Sequence, residues 1–237
     1  MWYKNQPIAH RGLHDNIAVP ENSLAAFQAA IDAQMPFEFD VHITQDEKLV
    51  VLHDHNLLRL TGVDANVESS TLDFIVAKRL MNTQENIPSL SEVLALVDGR
   101  VPILVEIKNE SKVGTLEKKL LEVLSTYKGE FAIQSFNPFA LAYVRKNAPG
   151  VKRGQLSGSF KGEKLPFYVK FILSNMFLNI VSQPHFIAYE MTHLKKISVK
   201  LHRFFKIPVL AWTLEKKDEI LLVKEDSDNI IFKFFRP

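Results

Sequence analysis

Residues 37–44 read Phe37-Glu38-Phe39-Asp40-Val41-His42-Ile43-Thr44. Side chains alternate along a strand, so Phe37, Phe39, Val41 and Ile43 form one face and Glu38, Asp40 and His42 the other. The stretch before it, 23–33, places Leu24, Phe27, Ala30 and Ile31 at helical spacing behind Asn22, the expected cap. The same pairing of a short apolar run with a helical pattern recurs along the chain. Strands are expected at 8–12, 37–44, 102–108, 131–136, 152–157, 186–190, 209–214 and 229–233, with a short extra run at 49–54. Helical patterns fall at 23–33, 89–97, 116–127, 138–147, 194–205 and 216–225. The strands are continuously apolar, β-branched or aromatic, as strands buried on both faces are. Eight such units point to an α/β fold of the TIM (β/α)8 barrel type. An open doubly wound sheet shares the alternation and is the structural alternative.

Residues 55–88 break the rhythm and read as a small insertion after the second strand. No linker or repeat divides the chain, so residues 1–237 are expected to form one domain, a length that a single α/β barrel fills. Hydrophobic residues at 46% and charged residues at 24% describe a globular protein. With no cysteine, a disulfide scaffold, a thiolate metal site and a cysteine nucleophile are excluded together. The start of the chain lacks the apolar stretch of a signal peptide, and the expected location is cytoplasmic. A net charge of +2 gives no indication of a nucleic-acid partner.

The charge is nevertheless uneven. Residues 160–237 carry 13 Lys and Arg against 8 Asp and Glu, together with 10 of the 17 Phe. Within them, residues 165–181 form the most apolar run, interrupted by Lys170, Ser174, Asn175 and Asn179, which is too polar to span a bilayer. Read as one helix, this run is apolar nearly all round and is flanked by Lys161, Lys164 and Lys170. Such a segment is open to three readings, a peripheral contact with an anionic membrane surface, a dimer interface, or burial under the 158–162 loop.

Chemistry concentrates at strand ends. Glu38 and Asp40 share a face of the second strand, and Glu106 and Lys108 share a face of the third. Carboxylates on a buried sheet are costly unless paired or bound to a cation. Glu38, Asp40 and Glu106 therefore suit a hard divalent ion, while Glu106–Lys108 and Glu38–Arg pairs offer a purely structural reading. His42 reads as a satisfied interior histidine. His10-Arg11-Gly12 closes the first strand and His53-Asp54 closes Val50-Val51-Leu52. Two histidines can divide acid and base roles near neutral pH, and the Arg11 guanidinium suits a phosphate.

These residues, in order, resemble the glycerophosphodiester phosphodiesterase family. The resemblance rests on His10-Arg11-Gly12, Pro20-Glu21-Asn22-Ser23, Glu38-x-Asp40, His53-Asp54, Leu58-Arg59-Leu60-Thr61-Gly62, Val105-Glu106-Ile107-Lys108, Gln134-Ser135-Phe136-Asn137-Pro138 and Ala211-Trp212-Thr213-Leu214. It implies a TIM barrel with an insertion after the second strand. It implies Mg²⁺ or Ca²⁺ at Glu38, Asp40 and Glu106, and acid/base catalysis by His10 and His53. It further implies phosphate binding by Arg11 with help from Lys108, and cleavage of a glycerophosphodiester to sn-glycerol 3-phosphate and an alcohol. Trp212 reads as a wall of the substrate pocket or as plain core. The chain departs from the family pattern at Ser23, at Leu214-Glu215, and at Phe232-Lys233 in the last strand. The other readings are a lysophospholipase D-like or other lipid phosphodiesterase on the same barrel, and a catalytically inactive lipid-binding module. The latter should have lost one of the five residues that remain here.

Overall fold

The structure is a computed structural model and describes residues 1–109 and 112–237. Its strands are β1 (Ile8–Ala9), β2 (Phe37–Ile43), β3 (Leu49–Val51), β4 (Ile103–Ile107), β5 (Phe131–Ser135), β6 (Lys152–Ser157), β7 (Phe186–Glu190), β8 (Val209–Leu214) and β9 (Asn229–Phe232). The α-helices are α1 (Trp2–Asn5), α2 (Leu24–Asp32), α3 (Leu58–Thr61), α4 (Leu72–Val76), α5 (Leu90–Val97) and α6 (Thr115–Leu124). They continue with α7 (Pro138–Asn147), α8 (Phe167–Ser174), α9 (Asn179–Ser182), α10 (Ile197–Phe204) and α11 (Glu219–Val223). The element order is that of a (β/α)8 barrel, the fold that the alternation predicts, with β3 as a short extra strand. No helix among the described residues is long and apolar enough to cross a membrane. The chain divides into two compact units, residues 9–131 and residues 1–8 with 132–237.

In the unit of residues 9–131, β2 pairs in parallel with β1 (Ala9 opposite Phe37) and with β4 (Asp40 opposite Glu106), and antiparallel with β3 (Val41 opposite Val51). Every β2 position from Phe37 to His42 is buried. Helix α2 packs Ala26, Phe27, Ala30 and Ile31 inward, and the Phe27 ring stacks on Phe37 at 4.7 Å. Its cap is Ser23, whose side chain accepts from the Ala26 N–H, not the expected Asn22. The Asn22 side chain donates instead to Asp40 Oδ2 at 2.9 Å. Either side chain has cap chemistry; the backbone turn decides which one faces the helix. Helix α5 begins with a reciprocal capping box between Ser89 and Glu92. Residues 55–88 contain α3, a 3₁₀ turn at Val67–Ser69, and α4, built around a core of Val50, Leu52, Leu57, Leu60, Val67, Ile75, Leu80 and Ile87. These helices are too short to show a period, which is why the segment looks irregular in sequence.

In the other unit, β5 to β9 lie side by side in parallel, each bonded to the next. Gly154 on β6 is required by the fully buried Phe186, since a Cβ at 154 would stand 2.1 Å from its ring. The first residues join this unit. Asn229 on β9 donates to Tyr3 O and Gln6 O at 2.9 and 2.6 Å, Lys4 pairs with Asp228, and Tyr3 stacks on Phe186 at 4.6 Å. The single helix expected at 165–181 is instead two helices, α8 and α9. The Asn175 side chain bonds back to Phe171 O at 2.8 Å, and Met176 takes a left-handed φ of 56° and turns inward. The pattern at 194–205 shortens to α10 behind a 3₁₀ turn at Met191–His193, and that at 216–225 shortens to α11.

Candidate active site

The candidate histidines, carboxylates, Arg11 and Lys108 all lie within residues 9–131. Strand β1 runs into His10, and Arg11 and Gly12 then take left-handed φ values of 56° and 81°. Gly12 is needed there, because a Cβ would stand 2.8–2.9 Å from Ala26. The turn brings the Arg11 N–H to Glu38 Oε2 at 3.0 Å, its Nη1 to Glu21 Oε1 at 2.6 Å and its Nε within 3.3 Å of Asp40 Oδ2. His10 Nε2 lies 4.0 Å from Glu38 Oε2.

Strand geometry puts Glu38 and Asp40 on one face, and the register sets Asp40 opposite Glu106. One carboxylate oxygen from each of Glu38, Asp40 and Glu106 lies within 4.8 Å of the others, and all three residues are buried. The Lys108 ammonium stands 2.6 Å from Glu106 Oε1 and 3.1 Å from Asp40 Oδ1. The ion pair and the carboxylate cluster, alternatives in the sequence, thus coexist.

The electrostatics follow from this packing. Burial, with Asp40 and Glu106 beside it, pushes the Glu38 carboxyl well above the usual carboxylate range. Burial also opposes the charge of Asp40, but Lys108, His53 and Arg11 overcome it and hold that carboxyl well below the range. Lys108 loses hydration too, yet Asp40 and Glu106 keep its ammonium charged beyond the ordinary lysine range. Burial and the neighbouring Arg11 push His10 well below an ordinary histidine, favouring the neutral ring.

His53 follows β3. Its Nδ1 lies 2.7 Å from Asp54 Oδ1, which places the proton on Nδ1 and leaves Nε2 free to act on a ligand. The backbone carbonyl of His53 is bonded by His42 Nε2 at 3.1 Å. His42 is indeed an interior histidine with a partner, and burial pushes it down to about 4.

Four further residues complete the arrangement without having been singled out as site residues in the sequence. Arg59, on the insertion helix α3, donates from Nε to Asp54 Oδ2 at 2.5 Å and from Nη2 to Glu21 Oε1 at 2.7 Å. Glu21 therefore sits between Arg59 and Arg11, and Asn22 reaches Asp40. A continuous polar chain runs from His53 through Asp54, Arg59, Glu21 and Arg11 to Asp40. Its sequence signal is that all four residues fall in the stretches that carry the family resemblance, Pro20-Glu21-Asn22-Ser23, His53-Asp54 and Leu58-Arg59-Leu60-Thr61-Gly62, with no role attached to them there. Trp212 belongs to the other unit, where its ring meets Phe136 edge-on at 5.5 Å.

The glycerophosphoryl diester phosphodiesterase family model matches residues 10–232. The chain belongs to the glycerophosphoryl diester phosphodiesterase family. A glycerophosphodiester phosphodiesterase of Caldanaerobacter subterraneus is 32% identical over 96% of this chain and 93% of its own length. A lysophospholipase D of Rattus norvegicus is 37% identical over 54% of this chain and 43% of its own. Among solved structures, an Oleispira antarctica phosphodiesterase in complex with sn-glycerol-3-phosphate superposes with a TM-score of 0.79 at 23% identity, over 96% of this chain and 92% of that one. Membership of this phosphodiesterase family makes the chain an enzyme, a phosphoric diester hydrolase. Two departures from the family pattern in the last strands are coupled here: Lys233 Nζ pairs with Glu215 Oε1 at 2.8 Å, while Phe232 is fully buried and packs on Phe235.

Proposed function

We propose that this phosphodiesterase hydrolyses glycerophosphodiesters to sn-glycerol 3-phosphate and an alcohol, with His10 and His53 as the acid and base. The observation that carries this reading is the convergence of Glu38, Asp40 and Glu106 beside His10 and Arg11. Family membership and the product named in the Oleispira antarctica complex support it.

The residues fit a divalent cation. Three buried carboxylates converge, and Glu38 Oε1 is buried with no hydrogen-bond partner among the described residues. Hard oxygen donors of this kind suit Mg²⁺ or Ca²⁺. Glu38, Asp40 and Glu106 would hold the ion, and when bound it supplies charge stabilisation at the phosphoryl oxygens.

The chain's own groups perform the rest. Arg11 and Lys108 offer fixed donors to the non-bridging oxygens of an anionic diester. They are already oriented by Glu21, Asp40 and Glu106, so little reorganisation accompanies the reaction. One histidine takes the proton of the attacking hydroxyl, and the other gives a proton to the departing alkoxide. Each contributes about 10²–10⁴ in rate. Asp54 fixes the tautomer of His53 through Nδ1.

A panel from glycerophosphoethanolamine and glycerophosphocholine to lysophosphatidylcholine, with Mg²⁺, Ca²⁺ or EDTA, tests the proposal. Glycerol 3-phosphate released with either ion and not in EDTA is the expected result. Full activity in EDTA overturns the cation role. Release of lysophosphatidic acid from lysophosphatidylcholine, without turnover of the soluble diesters, overturns the substrate assignment in favour of a lysophospholipase D reaction.

A further inference from the structure

We propose that the surface carrying α8, α9 and α10 docks on an anionic lipid bilayer. On a helix packed outside a barrel, the apolar stripe faces inward. These helices do the reverse. On α10 the exposed positions are Ile197, Lys200, Leu201 and Phe204, an i, i+4, i+7 apolar series with one lysine, while Val199 is buried. Ile197 and Phe204 are 83% and 79% exposed. On the neighbouring pair Phe167 is 83% and Ile180 is 80% exposed, with Phe171 and Phe177 half out of the protein.

The exposed rings of α8 and the turn after it form one patch. Phe167 lies on Phe171 at 6.4 Å, and Phe171 meets Phe177 at 5.7 Å. Asn179 on α9 bonds to His202 on α10 at 2.9 Å, and Lys196, just before α10, bonds to Ser174 at the end of α8. The three helices are thus tied side by side. A soluble monomer seldom leaves such a continuous apolar surface bare.

Charge selects the occupant. Residues 160–206 hold eight Lys and Arg against two Glu, a net +6. Arg203 is paired with Asp226 and Lys196 is bonded to Ser174, but a two-fold pairing of this face with a second copy would still set the remaining lysines against their own copies around the apolar rings, which repels. An anionic bilayer satisfies both components, since aromatic and aliphatic tips enter the headgroup–acyl boundary while lysines meet lipid phosphates. The break at Asn175 and Met176 serves this geometry. It folds what would be one all-round apolar helix into two short ones that present Phe171 and Phe177 together.

Co-sedimentation of the full chain with vesicles tests this. One set is phosphatidylcholine alone, and the other contains about 30% phosphatidylglycerol. Binding to the anionic vesicles at about 0.1 M salt, at least tenfold stronger than to the neutral ones and largely lost at about 0.5 M, is expected. Phe167→Ser with Phe204→Ser should weaken binding about tenfold or more, and Lys164→Glu with Lys200→Glu should do the same without touching an apolar residue. Both pairs should keep the parental melting temperature and the rate on a soluble diester. Absence of binding to any vesicle, or equal binding to both kinds, overturns the proposal. So does a concentration-dependent dimer, seen by sedimentation equilibrium, that Phe167→Ser with Phe204→Ser disperses, because a second copy is then the occupant.

Discussion

Asp54→Asn is the most informative single change in the site. Asp54 Oδ1 takes the His53 Nδ1 proton at 2.7 Å and a longer bond from Arg59 Nη2 at 3.1 Å, while Oδ2 takes Arg59 Nε at 2.5 Å. An amide of the same size has one acceptor and one donor end. Arg59 only donates, so the amide oxygen keeps the shorter Nε bond, and the NH₂ faces His53 at the loss of the longer Nη2 bond. That forces the His53 proton onto Nε2, the nitrogen otherwise free to act on substrate. The corresponding substitution in a fully buried serine-protease triad costs about 10⁴ in kcat. An exposed ion pair, by contrast, is worth at most about 1 kcal/mol, roughly fivefold. The His53 and Asp54 side chains are 34% and 26% exposed, between these limits. We therefore expect kcat to fall about 100-fold, or about 2.7 kcal/mol, with KM and melting temperature nearly unchanged. Adding Arg59→Gln should recover part of the loss, because a glutamine at 59 can donate or accept and frees the amide to turn back. Steady-state kinetics on glycerophosphoethanolamine reads both. A kcat within threefold of the parent, or an identical rate with and without Arg59→Gln, would refute the tautomer argument.

Lys108→Met removes the ammonium shared by buried Asp40 and Glu106, leaving Arg11 beside Asp40, and should destabilise the protein by about 3 kcal/mol in urea titrations with EDTA; added Mg²⁺ or Ca²⁺ should return much of it, and no return would mean that the carboxylates do not take the ion. The Glu21 carboxyl is buried, which opposes its charge, but Arg59 and Arg11 hold it down at about 2. Its stabilisation, of the order of 3 kcal/mol, is present above the unfolded value near 4.5 and lost as pH falls toward 2; Glu21→Gln should flatten that part of a stability–pH curve. Gly154→Ala should cost about 2–4 kcal/mol in thermal or urea unfolding, since its Cβ would meet the Phe186 ring, and Phe186→Leu in the same chain should recover part of this.

The strands were legible because their apolar runs are continuous and because Glu38, Asp40 and Glu106 stand out against them. Two-residue alternation alone sets Glu38 and Asp40 on a common face. The opposition of Asp40 to Glu106 was not legible, since register is a property of the paired backbones. Neither was the role of Asn22, which differs from Ser23 only in the direction that the left-handed turn gives it. Arg59 was visible as part of the Leu58–Gly62 motif, but its partners were not. It lies on a four-residue helix in the insertion, where no periodicity exists, and reaches Glu21 across 38 positions of chain. Residues 165–181 misled because hydrophobicity all round a helical projection does not reveal a break. Asn175 bonding to its own upstream carbonyl made it.

The attachment of residues 1–8 to the last strand has a bearing on synthesis. Tyr3 and Gln6 offer their carbonyls to Asn229, and Lys4 looks to Asp228, so residues 3–6 stay without these partners until residue 229 has been made. Residues 9–131, by contrast, carry their whole polar cluster on a contiguous stretch and can order early. The polar cluster thus needs no residue made after 131, whereas Tyr3 waits for Phe186, on which it stacks. Synthesis of β9 then supplies the side chain that ties residues 3–6 down.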